Sequence, residues 1–181
     1  MVIQSRSDLA EVIKKDFERY PMAKMPFIIR WLIKDETTRI KYYIWVLRHT
    51  EYHINNNHAV KYLWMLWHKR LSNIFGIYVH CNCCDAGLRI NHMAGGVYLN
   101  AIKIGKNFTA TTGVVIGKDG GEDARPIIGD NVCFTIGSKA YGRIKIGDNV
   151  TVAPNSVVFK NVEDCAIVSG IPAQKIKVRN L

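Results

Sequence analysis

Two hydrophobic periods divide the chain. Between residues 102 and 158 the phrase Ile-Gly-x-Asn is written three times: Ile104-Gly105-Lys106-Asn107-Phe108, Ile128-Gly129-Asp130-Asn131-Val132 and Ile146-Gly147-Asp148-Asn149-Val150. Around the last two copies an aliphatic, aromatic or small side chain returns every sixth position, at Phe134, Ala140, Ile146, Val152 and Val158. A period of six fits neither a helix nor a hairpin. It predicts a left-handed parallel β-helix in which each hexad gives a short strand and a turn, and three hexads close one triangular coil. The sixth-position side chains then stack inside the prism. The Gly-Asp-Asn corners are expected to use the positive φ that Gly and Asn tolerate.

The second and third copies start 18 residues apart, the first and second 24. The extra hexad falls in the polar stretch from Gly117 to Pro126, which is expected to leave the coil as a loop, and long ordered loops on rigid scaffolds tend to carry function. Before residue 76 the period changes to that of helices. Residues 8–19 place Leu9, Val12, Ile13 and Phe17 on one face, with Asp8 and Glu11 as a capping pair, and Pro21 and Pro26 stop the helix. Further helices are predicted over Phe27 to Lys34, Thr38 to Thr50 and His58 to Ser72, with Asn55-Asn56-Asn57 as a turn between the last two. The expected organisation is an α-helical N-terminal region at 1–75, a β-helix at 76–168 and a C-terminal tail at 169–181 that leaves the prism.

Composition narrows this only a little. At 181 residues and 48% hydrophobic the chain can fill a core. The N-terminus has no apolar stretch of a signal peptide and no run approaches a membrane span, which predicts a cytoplasmic protein. Five cysteines, three of them crowded as Cys81-Asn82-Cys83-Cys84, suit a reducing compartment and lack the spacing of a zinc site. The net charge of +10 calls for an anionic partner. It is spread over both halves without a basic block or nucleic-acid motif, so no nucleic-acid partner is expected. Lys41, Arg48, Lys61, Lys69 and Arg70 alternate with Trp31, Tyr42, Tyr43, Trp45 and Tyr62. Such helices suit peripheral contact with the inner face of an anionic membrane; the alternative is a helical cap packed on the prism or on a neighbouring subunit.

Four motifs occur in a fixed order: Gly76-Ile77-Tyr78-Val79-His80, Ile90-Asn91-His92-Met93-Ala94-Gly95, the loop ending Asp123-Ala124-Arg125-Pro126, and Val168-Ser169-Gly170-Ile171-Pro172-Ala173. From Gly76 to Ile176 this order resembles the serine acetyltransferase branch of the hexapeptide acyltransferases, and the short helical N-terminus looks like the variants found in bacterial polysaccharide gene clusters. The resemblance implies a homotrimer, acetyl-CoA lying between neighbouring prisms, and a histidine that deprotonates an acceptor hydroxyl; no metal is expected, since only His80 and His92 of the six histidines lie in the β-helix. His92 sits at that histidine's position. An imidazole is the natural base for an alcohol at neutral pH. His80 matches a second family histidine, to which a supporting role is assigned.

Two departures bear on the acceptor. Where the family has an Asp that assists the base, this chain has Tyr78, so Asn91 becomes the candidate to orient His92. Where the family loop reads Asp-Arg-His-Pro, this chain has Asp123-Ala124-Arg125-Pro126, leaving Arg125 to meet a phosphate or carboxylate of the acceptor or of CoA. These departures point to a sugar hydroxyl in surface polysaccharide assembly, with serine in cysteine synthesis as the alternative and a non-catalytic membrane scaffold as the third reading. By resemblance Gly117, Gly137 and Ala153 lie where pantetheine runs along the coil, and Lys118, Lys139, Lys160 and Lys175 are candidates for the CoA phosphates.

Overall fold

A computed structural model describes residues 2–21, 25–121 and 123–178; Glu122 of the loop and residues 179–181 of the tail lie outside them. Four helices, α1 (Arg6–Glu18), α2 (Phe27–Leu32), α3 (Glu36–Asn55) and α4 (Lys61–Phe75), precede a left-handed parallel β-helix of about five coils. The first face of the prism stacks strands Ile77–Val79, Val97–Leu99, Val114–Gly117, Lys139–Tyr141 and Val157–Val158. The second carries Lys103–Ile104, Ile127–Ile128 and Lys145–Ile146, extended by single bridges at Cys84 and Val162. The third runs from Arg89–Ile90 through Thr109–Ala110, Cys133–Phe134 and Thr151–Val152 to Ala166–Gly170. Phe134, Ala140, Ile146, Val152 and Val158 are all buried inside, and Phe108 lies against Phe134 with ring centroids 5.7 Å apart. The period of six is therefore the spacing of the core.

The corners between the second and third faces explain the Gly-Asp-Asn phrase, in a way that differs from expectation. Asn107, Asn131 and Asn149 take the positive φ, near 58°, 57° and 59°. Their amides form a ladder, Asn107 Nδ2 donating to Asn131 Oδ1 at 3.0 Å and Asn131 Nδ2 to Asn149 Oδ1 at 3.1 Å. Each aspartate caps the coil before it: Asp130 Oδ1 accepts Lys106 N at 2.7 Å, Asp148 Oδ1 accepts Asp130 N at 2.6 Å. The glycines have ordinary φ. They are required because a Cβ on Gly129 would occupy the place of Asp148 Oδ1. Gly129→Ala is therefore expected to displace that carboxylate from a backbone N–H and, because the bond is exposed to water, cost about 0.5–1.5 kcal/mol. Urea unfolding would read it as a lowered midpoint at unchanged slope.

The extra hexad does lie after Gly117. Nine residues join the first face to the second there, against three between Tyr141 and Lys145. The loop is held by its own bonds, Asp119 N to Ala124 O at 3.0 Å and Ala124 N to Gly121 O at 3.1 Å. The tail departs from expectation. Ser169 and Gly170 end the last parallel strand, and Ala173–Val178 returns antiparallel beside it, so the chain stays on the third face.

The helices cover the open first end of the prism. Ile40, Tyr43, Ile44 and Leu47 of α3 share one core with Leu71 and Phe75 of α4 and Ile77 of the first coil. Helix α1 is capped by Ser5 and Asp8 in a reciprocal box, one turn before the predicted pair. Helix α3 runs to Asn55, five residues past the expected end, because its last turns are packed: His49 and His53 stack on Trp64 of α4 at 4.9 and 5.4 Å. Arg48 and Tyr43, expected on a basic aromatic surface, are instead buried.

Candidate active site

His92 stands on a corner unlike the others. Between Ile90 of the third face and Val97 of the first lie six residues, whereas three separate Ala110 from Val114, its partner in the next coil. The added length pushes Asn91 to Gly96 outward, and His92 takes φ +67°, a conformation costly for most residues but one to which histidine is comparatively adapted. Its side chain is 68% exposed.

The helical region fixes this corner from both sides. Tyr20, just past α1, accepts Ile90 N at 2.8 Å through its hydroxyl, and burial raises the pKa of that hydroxyl. Glu36, the first residue of α3, accepts Met93 N on Oε1 at 2.6 Å and meets His92 Nδ1 with Oε2 at 3.0 Å. The Met93 amide, and after it the His92 ring, hold the Glu36 carboxyl below its ordinary pKa against partial desolvation. An ionised Glu36 only accepts, so Nδ1 carries the proton of this contact, and in the neutral ring Nε2 is then the acceptor nitrogen. The partner expected from the sequence is Asn91. The Asn91 amide oxygen instead accepts Arg89 Nε at 2.8 Å.

His80, Tyr78 and Arg125 gather elsewhere. His80 follows the first strand of the first face; its Nε2 is 3.4 Å from the Tyr98 hydroxyl. Arg125 comes from the loop and donates Nη1 to Asn100 Oδ1 at 3.4 Å, directly after the second strand of that face. Desolvation, then the charges of Arg125 and Lys69, lower the His80 pKa. Tyr78 donates to Asn73 of α4 at 3.2 Å, and its ring lies 6.4 Å from that of Tyr98 under Lys69. Tyr78, His80, Cys81 and Tyr98 line one side of a cleft of about 740 Å³, with His68 and Lys69 of α4 on the other. His92 precedes the first-face strands and the His80–Arg125 group follows them, so one chain holds the two groups on opposite edges of one face.

The remaining candidates divide between the same edges. Gly137 and Ala153 lie on the edge of His92, and Lys139 Nζ folds onto Gly137 O at 2.8 Å. Gly117 ends its strand against Tyr141, and Lys118 and Lys160 are exposed on the edge of Arg125. Lys175 sits on the returning tail strand and pairs with Glu163 at 2.8 Å. Among the described residues no three His, Cys, Asp or Glu side chains converge as a metal cluster.

No protein-family model matches the chain. It is 40% identical over 112 residues to serine acetyltransferase of Staphylococcus epidermidis, an alignment covering 60% of this chain and 53% of that protein. The chain thus spans about half the length of the curated relatives it matches. Among solved structures, serine acetyltransferase from Brucella abortus superposes with a TM-score of 0.78 at 23% identity, over 97% of this chain and 71% of that one. A serine acetyltransferase in complex with CoA superposes at 0.70 and 22%, over 97% and 72%. These superpositions extend the shared fold through the helical region.

Proposed function

We propose that the chain is an acetyl-CoA-dependent O-acetyltransferase in which His92 is the general base. The observation that carries the reading is the Glu36–His92–Met93 arrangement, a carboxylate fixing Nδ1 so that Nε2 is presented as an acceptor on an expanded corner. Acetyl-CoA supplies the thioester carbonyl. Nε2 takes the proton of the acceptor hydroxyl as its oxygen attacks, and the imidazolium returns that proton to the departing thiolate. Backbone N–H groups of the coil corners are suited to the developing oxyanion. The CoA complex among the similar structures supports the donor.

We place the site between subunits of a homotrimer. One chain keeps His92 and the His80–Arg125 group on opposite edges of a face, and an adjacent copy would bring the second group of one prism to the first group of the next. Gly137 and Ala153 would flank the pantetheine, and Lys139, Lys118, Lys160 and Lys175 are the cations available to phosphate.

For the acceptor, the relatives reverse the order reached from sequence, and serine becomes the first reading. A sugar hydroxyl is the second, favoured by the Tyr78–Tyr98 pair, whose rings offer an apolar platform beside His80. Thiol release from acetyl-CoA by the intact protein, with L-serine, nucleotide sugars and oligosaccharides, tests both. Release with serine is the expected result, and release only with a sugar would exchange the two readings. Failure of every acceptor together with no acetyl-CoA binding in calorimetry would overturn the enzymatic reading.

A further inference from the structure

Helix α4 has two apolar stripes and uses one. His68, Leu71, Ser72 and Phe75 face inward. Leu63, Leu66, Trp67 and Ile74 form a second stripe that faces out, Leu63 and Leu66 each 69% exposed. Helix α2 buries none of its residues: Ile28 and Leu32 are 71% and 73% exposed, and Phe27, Ile29 and Trp31 are exposed beside them. Between the two helices runs a groove floored by Tyr42 and Trp45 of α3, with compartments of about 420, 310 and 350 Å³ that all reach Tyr42. Apolar exposure this concentrated marks a contact surface.

Charge decides what covers it. Helix α4 contains Lys61, Lys69 and Arg70 and no acid; Met25 to Lys34 adds Arg30 and Lys34 and again no acid. The acids nearest in sequence are committed, Asp35 to the cap of α3 and Glu36 to His92 and Met93. Glu51 is buried. Arg39, Lys41 and Lys61 set their charged ends over the rings of Phe75, Phe17 and Tyr62, at 4.9, 5.4 and 5.1 Å, so cations lie among the apolar ground. Desolvation, then Arg30, lowers the pKa of Lys41, which an anion at the groove would oppose. A second copy docking by a two-fold axis would set this cationic patch against itself. No helix among the described residues is long and apolar enough to cross a membrane.

We infer that the α2–α4 face docks on an anionic phospholipid surface, with Leu63, Leu66, Ile28 and Leu32 entering the interface and the surrounding cations meeting the headgroups. This would hold the transferase beside a bilayer independently of which acceptor it uses.

The test is co-sedimentation of the full chain with phosphatidylcholine vesicles, with and without phosphatidylglycerol, at low and high salt. Binding is expected only with the anionic lipid and is expected to weaken with salt. The pair Leu63→Glu and Leu66→Glu should abolish it with an unchanged circular dichroism spectrum. Lys34→Glu with Arg70→Glu, which keeps the apolar stripe, should weaken it at least about tenfold. Absence of binding, or equal binding to neutral vesicles, overturns the inference. So does a fall in oligomer mass of the leucine variant in vesicle-free sedimentation velocity, which would assign the face to another copy of the chain.

Discussion

His92→Ala is expected to lower acetyl transfer by about 10²–10⁴-fold, the range removed with a positioned general base, while leaving acetyl-CoA affinity within about twofold. The separation follows from the proposed mechanism, in which His92 meets Glu36 through one nitrogen and would offer the other to the acceptor. Glu36→Gln should produce a smaller loss, about 10–10²-fold in kcat. Glutamine has one acceptor oxygen where glutamate uses two, for Met93 N–H and for His92 Nδ1–H. If the amide keeps the backbone bond, its NH₂ faces Nδ1 and drives the proton to Nε2, the wrong tautomer for a base. The loss falls short of that in a buried triad because Glu36 is 40% exposed and water can substitute. In the double variant the Glu36 change should add nothing to His92→Ala, since a positioning residue acts only through the group it positions. If instead the two losses multiply, Glu36 does not work through His92. The lowered pKa of Glu36 gives a further reading. The contact is complete above the ordinary carboxylate range and is lost only as pH falls through the depressed value, so activity near neutrality should not report its titration.

That His92 is legible in the sequence and Glu36 is not has a simple physical basis. The hexad period is a property of the core, and one residue type per coil suffices to reveal it. The first coils are too irregular for the period to single out His92, which is reached instead through the ordered motifs and their resemblance to the serine acetyltransferases. Glu36 lies 56 residues earlier, in the first turn of a helix where an acid already has a local use against the helix dipole. Nothing in the spacing says that this helix end is docked against a coil corner. The pertinent signal was an acid at the start of a helix expected to pack on the prism, and it becomes specific only when the docking is known. The two edges of the first face tell the same story: the motifs name His80, Arg125 and His92, but their separation depends on where each strand ends. Tyr98 and Asn100 carry no such signal, because their alternation with Val97 and Leu99 reads as an ordinary half-buried strand.

Arg48 lies furthest from its expected environment and carries the largest expected effect on stability. Set among Tyr42, Tyr43 and Trp45 it looks like part of a cationic surface, yet it is 1% exposed. Its guanidinium donates to Asp16 Oδ2 at 2.8 Å, Glu51 Oε2 at 2.9 Å, Cys84 O at 2.8 Å and Asp85 O at 3.0 Å. Asp16 Oδ1 in turn accepts Gly87 N and Leu88 N at 2.7 and 2.8 Å, and Glu51 Oε1 accepts Asn82 N at 2.8 Å. This network joins α1 and α3 to the first coil. Burial alone would lower the Arg48 pKa, but Glu51 and Asp16 overcome it and hold the value above the ordinary one. A group with a raised folded pKa stabilises fully below its unfolded pKa, so this contribution is constant across the working range.

Arg48→Met is expected to cost about 3–5 kcal/mol, because it strands two buried carboxylates that the fold cannot hydrate. That is a large part of the 5–15 kcal/mol typical of a domain. Arg48→Lys should recover only a minority of the loss, since one ammonium cannot span four acceptors arranged around a planar fork. Replacing all three charged residues by apolar ones should not restore stability either. In an isolated buried triad that exchange is often neutral, but here the acids also accept three backbone N–H groups that would be left unpaired. Urea unfolding decides it. A midpoint drop worth less than about 1 kcal/mol for Arg48→Met would show that water enters the network and that the helices are joined to the prism chiefly by their apolar core.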